Sequence, residues 1–186
     1  LFKVRHRHTG IVYAMKIIRN REDGRREAEI LKTLHGTGFP KCVDHYEEDG
    51  DFYLIMEFKE GKELGGWVQT INDGYKEESV GRILYRIAGL LKDLHSLPVP
   101  LIHGDLKPEN ILVDAYGNLF LVDFGSAFYI DRPPKKILST KGYAAPELAD
   151  GRCGTSADVY AFGKMMCTLY TGKPVRVFNG EVTEKV

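Results

Sequence analysis

Apolar positions along the chain change their period several times, and each change predicts an element. Leu1 to Arg5 and Ile11 to Ile18 read as two strands, joined by a polar link that ends in the hairpin signal Thr9-Gly10. From Arg21 the spacing becomes helical, with Ile30, Leu31 and Leu34 on one face, until His35-Gly36-Thr37-Gly38-Phe39-Pro40 ends it. Two further strands are predicted around Lys41 to Glu47 and Phe52 to Phe58, separated by Glu48-Asp49-Gly50-Asp51. The first third therefore reads strand, strand, helix, strand, strand.

After the Gly-rich link Glu60 to Gly66, a short helix is expected near Trp67 and a long one from about Glu77. In the long one Val80, Ile83, Leu84, Ile87, Leu90, Leu91 and Leu94 recur at helical spacing, and Pro98 and Pro100 close it. Ile111 to Val113 and Leu119 to Val122 flank Tyr116-Gly117-Asn118 and predict a compact hairpin. Ser126 to Gly142 has no clear period and is expected to be loop. A last helix is predicted from about Ser156 to Tyr170, with Gly172 and Pro174 as stop signals. It is apolar on nearly every side, a pattern that calls for burial all round, and the residues after Tyr170 are a poor cover for it.

Composition narrows the function. The 186 residues are 43% hydrophobic and 28% charged, within the globular range, and 26 Lys and Arg balance 26 Asp and Glu. Zero net charge argues against a dedicated nucleic-acid or anionic-membrane binder, so any polyanionic ligand must be met by a local site. No stretch approaches the length of a membrane helix. Three distant cysteines, Cys42, Cys153 and Cys167, offer neither a disulfide framework nor a zinc knuckle, and the expected home is a reducing cytoplasm. His6 and His8 sit beside Arg5 and Arg7 and read as solvated side chains rather than a metal pair.

The candidate chemistry lies in His103-Gly104-Asp105-Leu106-Lys107-Pro108-Glu109-Asn110, between the long helix and the hairpin, and in Asp123-Phe124-Gly125 after it. One carboxylate to orient a hydroxyl, with a second carboxylate and an Asn to hold Mg²⁺, is what phosphoryl transfer needs.

Several ordered motifs together resemble the eukaryotic-like (Hanks-type) protein kinase family. Tyr13-Ala14-Met15-Lys16 is similar to the strand with the phosphate-binding lysine, and Glu27 to its helix partner. His103 to Asn110 resembles the catalytic loop, Asp123-Phe124-Gly125 the metal-binding triplet, and Ala145-Pro146-Glu147 the end of the activation segment. Asp158 followed by Val159-Tyr160-Ala161-Phe162-Gly163 is similar to the start of the central helix.

The resemblance implies an α+β, two-lobed fold. Residues 1–56 would form a small antiparallel lobe with one helix, 57–61 a hinge, and 62–186 a mainly helical lobe. It implies ATP and Mg²⁺ as cofactors and a protein Ser/Thr hydroxyl as substrate. Lys16 would contact the α- and β-phosphates with Glu27 as its ion-pair partner, Asp105 would take or orient the hydroxyl proton, and Lys107 would neutralise the γ-phosphate. Asn110 and Asp123 would hold the metal. Met56 would be the gatekeeper, with backbone groups near Glu57 and Lys59 for adenine. Leu112 and Ala14 would sandwich the base, and Glu63 would reach the ribose or a basic substrate residue. Thr140 would stand against Asp105, a Ser/Thr-kinase trait, and Leu31, His103 and Phe124 would stack in a regulatory spine. The phrasing looks most like bacterial members.

The sequence also departs from the pattern. Gly104 stands where many members have the Arg that pairs with a phosphorylated loop, which implies a site ordered without loop phosphorylation. The same His-Gly-Asp triplet is shared with aminoglycoside-type small-molecule phosphotransferases, but Lys107-Pro108-Glu109 and Gly142 to Glu147 stand against that reading. The Gly-rich phosphate loop, the final helices and the arginine expected opposite Glu147 are not found, so the domain is expected to be truncated at both ends. A non-catalytic fragment acting as a binding module is the alternative, and the exposed apolar face of the larger lobe is an expected association surface.

Overall fold

The computed structural model describes residues 1–71, 74, 76–134, 139–150, 152–172, 177–178 and 181–182. In chain order the elements are β1 (Phe2–Arg5), β2 (Val12–Ile18), α1 (Arg21–Thr33), β3 (Cys42–Glu48), β4 (Asp51–Glu57), β5 (Lys62–Glu63), α2 (Leu64–Val68) and α3 (Lys76–His95). They continue with β6 (Leu101–Ile102), β7 (Ile111–Val113), β8 (Leu119–Leu121), β9 (Phe128–Tyr129), α4 (Thr155–Thr171), β10 (Val177–Phe178) and β11 (Glu181–Val182). Single 3-10 turns occur at Pro108–Asn110 and Pro146–Asp150. The chain divides into two units, Leu1–Gly61 with Leu112–Gly125, and Lys62–Ile111 with Ser126–Val186.

In the first unit an antiparallel sheet runs in the order β1-β2-β4-β3. The β3–β4 connection places Asp49 at φ 49° and Gly50 at φ 92°, the paired positive values of a tight two-residue hairpin turn, which Asp and Gly tolerate best. Helix α1 starts where the Asn20 side chain accepts the Glu22 N–H at 3.0 Å, with Glu22 and Asp23 in the electropositive first turn. It buries Gly24, Glu27, Ala28, Ile30 and Leu31. Alternation along β4 turns Phe52, Leu54 and Met56 inward, all under 9% exposed. Leu34, predicted on the helix face, is the residue that ends α1, in extended backbone, and it remains buried.

The second unit is mainly helical, with short strand pairs. Helix α3 buries Val80, Ile83, Leu84, Ile87, Leu91 and Leu94, steps of three and four that form one stripe. Helix α4 ends at Gly172, φ 68°, whose N–H bonds the Thr168 carbonyl at 2.9 Å, so the stop signal read in the sequence is a left-handed cap.

Two expectations need correction here. The segment 126–142, expected to be loop, contains β9, which pairs antiparallel with β6 through Leu101↔Tyr129 and Ile102↔Phe128. Two residues are too short to show a period of two, and it is the burial of Leu101, Ile102 and Phe128 that holds the pair. Residues 135–138 of that segment lie outside the described residues. Helix α4 is also less uniformly buried than its composition suggests: Ala157, Asp158, Ala161, Met165 and Leu169 are inside, while Val159, Met166 and Tyr170 are exposed among the described residues.

His6 and His8 are exposed, and His6 Nδ1 accepts the Thr9 N–H at 3.2 Å in a turn contact. Among the described residues no His, Cys, Asp and Glu group is arranged to hold a metal by itself, and no helix is long and apolar enough to cross a membrane.

Gly24 faces the buried ring of Phe52, and a Cβ there would fall inside the ring's van der Waals envelope. Alanine normally stabilises a helix relative to glycine by about 1 kcal/mol. Gly24→Ala is nevertheless expected to destabilise this chain by about 1–3 kcal/mol through overpacking. Urea denaturation checks the sign, and Phe52→Leu should relieve most of the loss.

Candidate active site

Two polar clusters hold most of the candidate residues, one in each unit. In the first, strand alternation puts Ala14 and Lys16 on one face of β2. Lys16 Nζ lies 2.8 Å from both carboxylate oxygens of Glu27, which is 2% exposed on α1, and 2.7 Å from Asp123 Oδ1. Burial pulls the Lys16 ammonium down, but Glu27 and Asp123 together outweigh it and hold the group above its ordinary value. Burial pushes the Glu27 carboxyl up against the pull of Lys16.

The triplet Asp123-Phe124-Gly125 is a strained turn. Asp123 has φ 63°, a left-handed value uncommon for a residue with a side chain. Gly125 N–H points to Asp123 Oδ1 at 3.4 Å, and Phe124 is fully buried with its ring edge-on to Phe39 at 6.0 Å. A Cβ on Gly125 would stand 3.0 Å from Lys16 Nζ and 3.3 Å from Asp123 Oδ1, so a side chain there would crowd the ion cluster and its members would have to give by a few tenths of an ångström.

Ala14 and Met56 are paired across β2 and β4 and both are buried, while Leu112 is half-buried. Lys59 turns inward: Nζ pairs with Glu57 Oε1 at 2.8 Å and sits 4.7 Å from the centre of the Phe120 ring. Leu31 and Phe124 are buried in this unit, and His103 is buried in the other.

The second cluster centres on Asp105. Its Oδ1 accepts the Thr140 N–H at 2.8 Å and the Thr140 hydroxyl at 2.6 Å. Its Oδ2 accepts Lys107 Nζ at 2.6 Å, and Lys107 also donates to the Thr140 hydroxyl oxygen at 2.7 Å. Asn110 Nδ2 donates to the Asp105 carbonyl at 2.8 Å. Pro108 at the first position of the 3-10 turn sets the backbone that brings Asn110 back toward Asp105. Glu63 is exposed just ahead of α2, away from this cluster's hydrogen bonds, and Glu147 Oε1 accepts the Ser156 hydroxyl at 3.1 Å.

The loop is held from beneath by Asp158, 1% exposed on α4. Its Oδ2 accepts the His103 N–H and its Oδ1 the Gly104 N–H, each at 2.9 Å, and His95 Nε2 lies 2.9 Å from Oδ2. Gly104 has φ 77°, and a Cβ there would stand 2.7 Å from the Ser126 carbonyl oxygen, so the residue that departs from the family pattern sits where glycine is the least strained choice. Sequence reasoning placed Asp158 on a helix but not under the loop, and it missed His95 altogether. The only local signal was an acid in the first turn of the largely apolar α4; His95 closes α3, a helix with many other charged residues, and nothing marks it out. It also missed Arg26, whose Nη2 donates to the Gly125 carbonyl at 3.0 Å while Nη1 pairs with Asp23 at 2.8 Å.

Residues 1–185 match a family model described as "Protein kinase domain". The chain is 33% identical over 187 residues to serine/threonine-protein kinase GL21140 of Drosophila persimilis, covering 94% of this chain and 24% of that protein. It is 33% identical to serine/threonine-protein kinase DCLK1 of Rattus norvegicus, covering 90% of this chain and 41% of that one. It is 34% identical to human ribosomal protein S6 kinase alpha-2, covering 91% and 24%. The chain thus spans between a quarter and two-fifths of the length of these relatives.

Removing the Asp158 carboxylate would leave two backbone N–H groups without their buried acceptor. Asp158→Ala is expected to destabilise the chain by about 3 kcal/mol or more. The shift in urea midpoint measures it, and a change within error would contradict the support described for the loop.

Proposed function

The chain belongs to the protein kinase family, and on that premise we propose that it transfers the γ-phosphoryl group of ATP to Ser or Thr hydroxyls of proteins, with Mg²⁺ as cofactor. The carrying observation is the Asp105–Thr140–Lys107 cluster. An alcohol of the protein itself donates to the carboxylate while an ammonium lies against its oxygen, which is the environment a substrate hydroxyl needs.

The donors present suit the cofactors. Asp123 and Asn110 offer the hard oxygen ligands that Mg²⁺ prefers, and Asp123 is half exposed with one oxygen on Lys16. When bound, Mg·ATP supplies the phosphoryl donor and offsets its own phosphate charge. Lys16, kept ionised by Glu27, binds phosphate oxygens. Ala14, Met56 and Leu112 contact the base and the backbone near Glu57 and Lys59 orients it, with Glu63 assigned to the ribose or a basic substrate residue. Asp105 would orient the substrate hydroxyl and take its proton in the transfer, the γ-phosphoryl group coming from ATP and ADP being released. Lys107 neutralises the charge that develops on the transferring group, and Thr140 keeps Asp105 oriented. Glu147, fixed by Ser156, anchors the end of the segment that carries Thr140. A cytoplasmic setting is part of the proposal, supported by three cysteines outside any disulfide.

Asp105→Asn is expected to lower phosphate incorporation from labelled ATP into a Ser/Thr peptide pool by about 10²–10⁴-fold. The thermal shift produced by Mg·ATP should remain as in wild type. Asp123→Ala should abolish that shift. Retained turnover in Asp105→Asn, or an undiminished shift in Asp123→Ala, would remove the role assigned to that residue.

A further inference from the structure

Arg26 and Glu27 are neighbours on α1, yet they serve the Asp123 turn from two directions. Glu27 acts through Lys16, whose ammonium reaches Asp123 Oδ1. Arg26 bypasses the ion cluster: Nη2 holds the Gly125 carbonyl at 3.0 Å, and Asp23, one helical turn earlier, holds Nη1 at 2.8 Å. The guanidinium is partly buried, and its Nε is shut from solvent with no hydrogen-bond partner among the described residues.

The position of Gly125 decides what the contact does. Its Cα faces Lys16, Asp123 and Glu27 so closely that a methyl group would crowd all three. Fixing its carbonyl therefore fixes the backbone against the ion cluster, and it fixes the far end of a turn whose first residue is in a left-handed conformation. Lys16 alone cannot keep that turn in place if it exchanges Asp123 for a phosphate oxygen when nucleotide enters.

We propose that Arg26, braced by Asp23, is a positioning residue that holds the Asp123-Phe124-Gly125 turn in its metal-binding shape independently of Lys16. This rests on the reading of Asp123 as a Mg²⁺ ligand. Arg26 supports the carboxylate through the backbone two residues on, as outer-shell partners support metal ligands.

The test uses the intact chain with two variants, Arg26→Ala and the milder Asp23→Ala, and two readouts. Calorimetric titration with ADP, with and without Mg²⁺, should show metal-dependent binding weakened about tenfold in Arg26→Ala and less in Asp23→Ala. Metal-free ADP binding and the thermal unfolding midpoint should stay as in wild type. Hydrogen exchange without ligand should show faster exchange at residues 123–126 in both variants, with α1 unchanged. Equal loss of metal-free and metal-dependent binding, or unchanged exchange at the turn, overturns the proposal. If Arg26→Ala fails to fold, Asp23→Ala decides by the same criteria. A wild-type chain that binds no nucleotide sinks the nucleotide reading itself, and the exchange comparison then decides the role of Arg26 alone.

Discussion

A carboxylate taken out of water must be answered by donors, and each unit of this protein is arranged around one that is. Glu27 and Asp158 are 2% and 1% exposed, where an unmatched charge would be expensive enough to unfold the surroundings. Glu27 is answered by a single ammonium placed on both of its oxygens. Asp158 is answered by two backbone N–H groups and a histidine nitrogen. The difference matters, because the first fixes a side chain and the second fixes a loop.

In the first unit the chain from cause to consequence runs from the Asn20 cap, which starts α1 in register, to the burial of Glu27, and from there to Lys16 and the Asp123 turn. Glycine appears at two crowded points on this route, Gly24 under the Phe52 ring and Gly125 beside Lys16, and in both cases the lack of a side chain lets partners approach. In the second unit Asp158 holds the backbone of His103 and Gly104, so Asp105 projects from an anchored loop. Thr140 and Lys107 then occupy both of its oxygens. A polar network with its partners in place at low dielectric is rigid, and it holds the Asp105 carboxylate in one orientation.

Local pattern accounts for most elements. Hydrophobic spacing marked the four strands of the main sheet, α1, α3 and α4 to within one or two residues, because each buries a single face and the burial repeats with the element's own period. It failed for β9, where two residues cannot display a period, and it overstated the burial of α4, whose apolar residues lie on inner and outer faces alike.

The candidate residues could be named from the sequence because motif spacing is local: Asp105, Lys107 and Asn110 lie within one loop, and Asp123 and Gly125 within one turn. The supports could not. His95 and Asp158 are 63 residues apart, and Arg26 and Gly125 are 99 apart, with no periodicity or composition to link them. What the sequence determined by itself was therefore the kind of fold and the identity of the charged groups. Which donor meets which buried carboxylate, and why glycine suits position 104 and a side chain would crowd position 125, was decided only by tertiary structure, since those constraints arise where distant segments are forced together and water is excluded.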